Sequence, residues 1–501
     1  MTITKHRSLL DGLDEFVAEQ LQTWKGVGAA VAVIHKNEVI WQKGYGYRDL
    51  ESKLEVTPST LFAIGSSTKA FTATTAALLV DQELLNWDTP VKAYMDDFKM
   101  FDPVATERLT IRDMLCHRSG LPRHEMVWYN SSRTREELVD AIQYLEPNED
   151  FRNKWQYQNL MYMTAGFLVG KLKETTWESF VQDHLFDPLG MKSSLFSVDQ
   201  MQLQPDFAVP YMEKDGENVR IPYRNIDAIG PAGSMNSNLE DMIAWLRLQL
   251  NQGQHDGQQL ISKEQMEALH SPQMPCDSPF HGPEMPVSTY GLGWFIEPYR
   301  GHQLIHHGGA IDGFSSQVAF LPEEEIGIVV LCNTHGSIIP YTITFNIMDR
   351  LLEKEPVDWS QKMAKLMSGE ESAESAVTDT PETLDPAATP VVDNEEEQTE
   401  DAKAVSLDRP VLTYAGIYQH AGYGEMSIQL KDDGLQAIFQ NIEMPMEYSG
   451  NDTFSVLLVL FGLKVTFTFQ VDQENNARSI SIPFLMEPGT KPIEFIKKSA
   501  E

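Results

Sequence analysis

The sequence predicts an α/β (α+β) protein, with a central antiparallel sheet flanked by helices, a helical subdomain, and a small antiparallel β-barrel after it. Three observations predict this. Strand-like apolar runs occur near residue 30 and again near residue 300, with a mostly helical pattern between them. Composition shifts abruptly after about residue 357, and short alternating runs fill the chain from about residue 409.

The first element is an amphipathic helix in "MTITKHRSLLDGLDEFVAEQLQTW", whose apolar residues recur at helical spacing among acids rather than forming the unbroken core of a signal peptide. "GVGAAVAVIHKNEVIWQKGYGY" (26–47) then reads as a β-hairpin turning at "HKNE". "FVQDHLFDPLG" and "LEDMIAWLRLQLNQG" belong to the helical middle. "HQLIHHGG", "SSQVAFLPEEE" and "IGIVVLCN" return to strand, and "SIIPYTITFNIMDRLLEKE" (337–355) closes the segment as a helix. Strands at both ends of one segment fit a single antiparallel sheet closed by both termini, with the helical subdomain inserted. The first domain is placed at 1–357. Residues 358–408, acidic and rich in Pro, Ser and Thr, lack the apolar surface to offset ordering entropy and read as a flexible linker. The runs "GEMSIQL", "LQAIFQ", "TFSVLLVLFG", "KVTFTFQV", "RSISIPFL" and "IEFIKK" place a small barrel at 409–501.

With 42% hydrophobic and 22% charged residues the chain is globular, and its 501 residues suffice for more than one core. A formal charge of −34 repels phosphate backbones and anionic lipid, so nucleic acid and membrane are set aside as partners. No apolar run reaches the length of a membrane span. Three widely spaced cysteines, Cys116, Cys276 and Cys332, suggest reduced thiols and a cytoplasmic setting.

The candidate chemistry begins at "FAIGSSTKAFTA", where Ser66 stands three residues before Lys69 and so shares a helix face with it. The surrounding sequence is apolar almost all round. A lysine there is costly unless paired or neutral, and desolvation would lower its pKa toward that of a useful base. A second cluster, Tyr157-Gln158-Asn159, precedes another apolar helical run. A third, His307-Gly308-Gly309, closes a strand, where glycines let backbone N–H groups approach a ligand. Taken singly, each has a plain structural explanation: a capping serine, a turn asparagine, a tight strand end. The ordered trio is the signal.

S-x-x-K, Y-x-N and H-x-G in this order resemble the class C β-lactamase-type and penicillin-binding-protein-like serine hydrolases, a likeness extended by "MLCHRSGLP", "FDPLGM", "PAGSMNSNLEDMIAWL", "YGLGWFI" and "DGFSS" and covering roughly residues 10–355. The resemblance implies Ser66 as the acylated nucleophile, with Lys69 and Tyr157 sharing the proton transfers and which of them is the general base left open. It implies Asn159 bonded to Lys69 and to a substrate carbonyl, and an oxyanion hole at the N–H groups of Ser66 and Ala310 beside Gly309. No cofactor or metal is called for. His307 stands where true class C β-lactamases carry a lysine; as a weaker, conditional cation it disfavours an acidic β-lactam and favours small esters, amides or short peptides, including those with a D-residue. Two alternatives stay open: a β-lactamase or D,D-carboxypeptidase, and a catalytically silent binding protein on the same scaffold. The C-terminal module resembles the lipocalin-like barrels appended to some members. Homo-oligomer formation is left open.

Other readings are set aside. "HQLIHH" puts His302 and His306 on one strand face and His307 on the other, with no carboxylate or cysteine cluster for a metal. There is no G-x-S-x-G elbow. His117, in "CHRSGLP", is read as structural.

Overall fold

The computed structural model describes residues 3–368, 407–431, 434–458 and 463–498. At the N-terminus the expected single helix is two, α1 (Ile3–Leu9) and α2 (Leu13–Thr23), because Gly12 adopts φ +81° between them. The hairpin follows as β1 (Gly28–His35) and β2 (Glu38–Asp49). Lys36 and Asn37 turn it with φ +51° and +65°, the double left-handed conformation that matches strand twist.

The main sheet has nine strands, all pairs antiparallel. Its members after β2 are β3 (Leu54–Glu55), β4 (Met274–Pro275), β5 (Thr289–Tyr290), β6 (Phe295–Tyr299), β7 (His302–Ile311), β8 (Phe314–Leu321) and β9 (Ile326–Cys332). Their order is β4-β5-β6-β7-β8-β9-β1-β2-β3, so the sheet's first strand in the sequence pairs with its last, Val31 opposite Val330. All eight residues of β1 are buried. Its alternate side chains feed two cores: Ala30, Ala32 and Ile34 face the helical subdomain, while Val31 and Val33 face the terminal helices.

The subdomain side is organised by α3 (Thr68–Asp81), α4 (Asn159–Lys173) and α5 (Leu239–Leu250). The first twelve residues of α3 are buried, which its nearly continuous apolar sequence anticipates. Phe71 stacks on Trp245 of α5 at 3.7 Å. On the opposite face lie α6 (Ile339–Leu351) and α7 (Trp359–Ser368), where buried Trp359 donates Nε1–H to Asp349 at 2.9 Å. Thus a packed helix occupies the start of the stretch read as a linker; its remainder, 369–406, lies outside the described residues.

The C-terminal module is a closed eight-stranded barrel: β10 (Gly416–His420), β11 (Gly424–Lys431), β12 (Gly434–Phe439), β13 (Ile442–Gly450), β14 (Thr453–Leu458), β15 (Leu463–Val471), β16 (Ala477–Ile482) and β17 (Ile493–Lys497). Pairing of Tyr418 with Lys497 closes it, which removes the exposed edges of an open sheet. Along β15, Val465, Phe467 and Phe469 point inward while Lys464, Thr466 and Thr468 point out. The sequence pattern missed β10 and β13. The latter, "IEMPMEYSG", buries Met444 and Met446 but has Ile442 as its one β-branched residue and carries an outward Pro445, so its alternation is weakly written. Among the described residues no helix is long and apolar enough to cross a membrane.

Candidate active site

Ser66 sits in a short 3₁₀ turn, Gly65–Ser67, that leads directly into α3. The turn is pinned from both sides. The Ile64 N–H donates to the Met235 carbonyl at 2.9 Å, and Ser316 Oγ of β8 donates to the Ile64 carbonyl at 2.8 Å. Ser67 Oγ lies 2.9 Å from Ser316 Oγ and donates to the His307 carbonyl at 3.2 Å. These bonds lock the Ser66 turn against β7 and β8, and they give Ser316 of "DGFSS" its part in the structure.

One turn into the buried segment, Lys69 is fully enclosed and donates Nζ–H to Ser66 Oγ at 3.0 Å and to the Ala232 carbonyl at 2.8 Å. Those acceptors offset the desolvation that a buried ammonium would otherwise suffer. Tyr157 lies just before α4, and its ring centroid is 4.6 Å from Lys69 Nζ. It is set there by the preceding loop: Gln156 N–H donates to the His117 carbonyl at 2.8 Å, and Gln158 N–H donates to His117 Nδ1 at 3.0 Å. That loop is anchored in turn by Asp113. Burial opposes charge on this carboxyl, but hydrogen bonds from Arg152, Thr110 and Arg118 outweigh it and hold its pKa below the usual carboxylate range.

Ser66, Lys69 and Tyr157, drawn from distant parts of the chain, therefore converge. Asn159 opens α4, and its Nδ2 donates to the Glu125 carboxylate at 3.1 and 3.3 Å. His307 enters from β7. The expectation of a conditional cation there is corrected: burial, then the nearby Lys69 charge, push its pKa down to about 3, so it is neutral at ordinary pH. Its Nδ1–H donates to the Gly308 carbonyl, and its Nε2 accepts from the Tyr290 hydroxyl at 2.9 Å.

The backbone of β7 presses against the Ser66 turn. A methyl group on Gly309 would lie 1.9 Å from the Ile64 carbonyl oxygen and 2.9 Å from Ser66 N; one on Gly65 would lie 2.6 Å from Ala310 N. Only glycines permit this approach, which packs the Gly309–Ala310 backbone directly against that of Gly65 and Ser66. A separate recess of about 650 Å³, solvent at its mouth included, is lined in part by Ala310, Phe280, Phe295, Tyr341, His306 and Glu297; Ser66, Lys69, Tyr157, Asn159 and His307 do not line it. No lysine or arginine lines it. Burial opposes charge on Glu297, but hydrogen bonding to His306 leads the contributions that lower its pKa.

Sequence reasoning missed three contributors. Arg123 and Glu125 come from "GLPRHEMVWYN", recognisable only as a loop near the cleft. Tyr290 was visible within "YGLGWFI" but not its bond to His307. His117, read as structural, indeed supports the loop, and its ring also lies 4.4 Å from that of Tyr157.

Comparison with known proteins agrees with this geometry. The family described as Beta-lactamase matches residues 13–341, and a domain of unknown function, DUF3471, matches residues 401–497. The unguisins hydrolase of Aspergillus campestris is 29% identical over 447 residues, 85% of this chain and 79% of that one. The corresponding enzyme of Aspergillus violaceofuscus is 28% identical, spanning 98% of this chain and 90% of its own. Among solved structures, the octameric penicillin-binding protein homologue of Pyrococcus abyssi superposes with a TM-score of 0.61 at 22% identity, covering 97% of this chain and 100% of that one. The D-amino acid amidase of Ochrobactrum anthropi gives 0.58 at 23% identity, covering 69% and 98%. At such identities these two likenesses concern the fold.

Proposed function

Because this chain belongs to the Beta-lactamase family, we propose that it is a serine hydrolase that works through an acyl-enzyme on Ser66 and cleaves small esters, amides or short peptides, including those with a D-residue. The observation that carries this is the 3.0 Å bond from a fully buried Lys69 to Ser66 Oγ. A lysine is rarely enclosed without a task, and here it meets an alcohol that lines a backbone N–H pair.

In the proposed reaction Ser66 Oγ attacks the acyl carbon while its proton passes to the Tyr157 phenolate, which Lys69 stabilises. The carbonyl electron pair moves onto oxygen, facing the N–H groups of Ser66 and Ala310. As the tetrahedral species collapses, the bond to the leaving group breaks and Tyr157 returns the proton to that group. Water then repeats the sequence on the acyl-enzyme, giving two easier steps in place of one. Asn159, with Gly309 beside it, orients the substrate.

The neutral His307 supports uncharged substrates, because it offers no fixed cation to a substrate carboxylate at the head of the third motif. This weighs against a β-lactamase or D,D-carboxypeptidase. The two fungal relatives are, by their names, hydrolases of unguisins, which supports a hydrolytic activity. Unpaired Cys116, Cys276 and Cys332 support a reducing, cytoplasmic setting.

The test is turnover of p-nitrophenyl acetate, D- and L-amino acid amides and nitrocefin by wild type and Ser66→Ala. We expect Ser66→Ala to lose on the order of 10⁴-fold or more in kcat/KM on esters and amides, with nitrocefin a poor substrate of the wild type. Equal rates for the two proteins would leave only the silent binding scaffold.

A further inference from the structure

Two cations lie over the Tyr157 ring. Lys69 Nζ is 4.6 Å from its ring centroid, and the guanidinium carbon of Arg123 is 4.7 Å from the same centroid. The other titratable groups around it are His117 at 4.4 Å, His307 at 6.3 Å, Tyr290 and Glu125. Burial keeps both imidazoles neutral and Tyr290 a phenol. Glu125 accepts from Arg123 Nε at 3.0 Å and from Asn159, which ties Arg123 into the site.

The turn carrying Arg123 is held by the barrel. Arg123 N–H donates to Glu487 Oε1 at 2.6 Å. The next residue, His124, is buried at φ +49°, a conformation costly for a non-glycine residue that persists only where its surroundings enforce it. Tyr423 of the barrel supplies that enforcement, its hydroxyl donating to His124 Nδ1 at 2.8 Å while His124 Nε2–H donates to the Glu146 carbonyl at 3.1 Å. Gln440, from the loop between β12 and β13, donates Nε2–H to the Met126 carbonyl at 2.9 Å. Three separate barrel segments thus grip residues 123–126.

We propose that Arg123 is a positioning residue for Tyr157, a second cation that holds the phenolate ready to take the Ser66 proton, and that the C-terminal barrel seats it there. The module of unknown function is then a working part of the catalytic site. This rests on the reading of Ser66 as nucleophile, and the experiment separates the two.

The measurement is the pH dependence of kcat/KM for p-nitrophenyl acetate with the full chain. A phenolate base is active above its pKa, so removing a neighbouring cation raises that pKa and moves the acid limb to higher pH. Arg123→Leu should shift the limb upward by about one pH unit, lowering activity about tenfold below the limb and only a few-fold above it. Arg123→Lys should restore most of the position. Glu487→Ala, which keeps the guanidinium but frees its backbone anchor, should shift the limb in the same direction by less. If Arg123→Leu does not fold, the pair Arg123→Lys and Glu487→Ala decides: an unmoved limb in Glu487→Ala overturns the proposal. A uniform loss at every pH, or a limb in place for Arg123→Leu, overturns it too, with the nucleophile reading intact as long as Ser66→Ala is inactive. Activity in Ser66→Ala would instead sink the earlier reading.

Discussion

In the proposed reaction, proton transfer turns on Tyr157. It is buried beside Lys69, and its phenol oxygen is the group assigned to move the Ser66 proton. Tyr157→Phe keeps the ring and its packing against His117 but removes that oxygen. It should cost about 10²- to 10⁴-fold in kcat with thermal stability little changed, measured by ester turnover beside a melting curve. Activity within a few-fold of wild type would transfer the base to Lys69. Of the candidate-site residues, Ser66, Lys69, Tyr157, Asn159 and His307 were legible as motifs because short spacings place them on defined elements. Arg123 and Glu125 were not, because their approach depends on the path of an irregular loop and on contacts with residues more than three hundred positions away.

At the scale of elements, the site depends on β7 touching the turn before α3. Gly309→Ala would drive a methyl into the Ile64 carbonyl, so strand and turn must separate. The N–H groups of Ser66 and Ala310 would then no longer share one focus. A fall in kcat of about 10²-fold or more is expected, with a lower melting temperature. Retention of full kcat would mean that the oxyanion is held elsewhere. The α3–α5 contact carries stability instead: Phe71→Ala removes a fully buried ring stacked on Trp245 and should cost about 3–5 kcal/mol in urea denaturation. The helical runs and the β1–β2 hairpin were readable from periodicity and turn residues. The break at Gly12 and the strand β13 were not, since a permissive glycine and a methionine-rich strand leave weak local signals.

For the whole molecule, buried imidazoles predict how stability depends on pH. Burial leads the causes that lower His124 to about 4 and His270 and His307 to about 3. Once unfolded, each returns toward its ordinary pKa of about 6.5. The unfolded chain therefore binds more protons between these values, and the folded state loses stability as pH falls below about 6.5. The slope is about 1.4 kcal/mol per pH unit for each histidine. The urea midpoint should fall steadily from pH 7 to pH 5; a constant midpoint would contradict neutral burial of these rings. The linkage joins both domains, because His124 bonds to Tyr423 of the barrel.

What the amino-acid order alone determined were the local periodicities, the ordered trio of motifs and the acidic break between two compositions, since each depends on residues a few positions apart. Tertiary structure decided the protonation of His307, the enclosure of Lys69 and the seat of Arg123 against Tyr157. Those properties arise from desolvation and from contacts across hundreds of residues, which exist only once the sheet, the helices and the barrel have packed together.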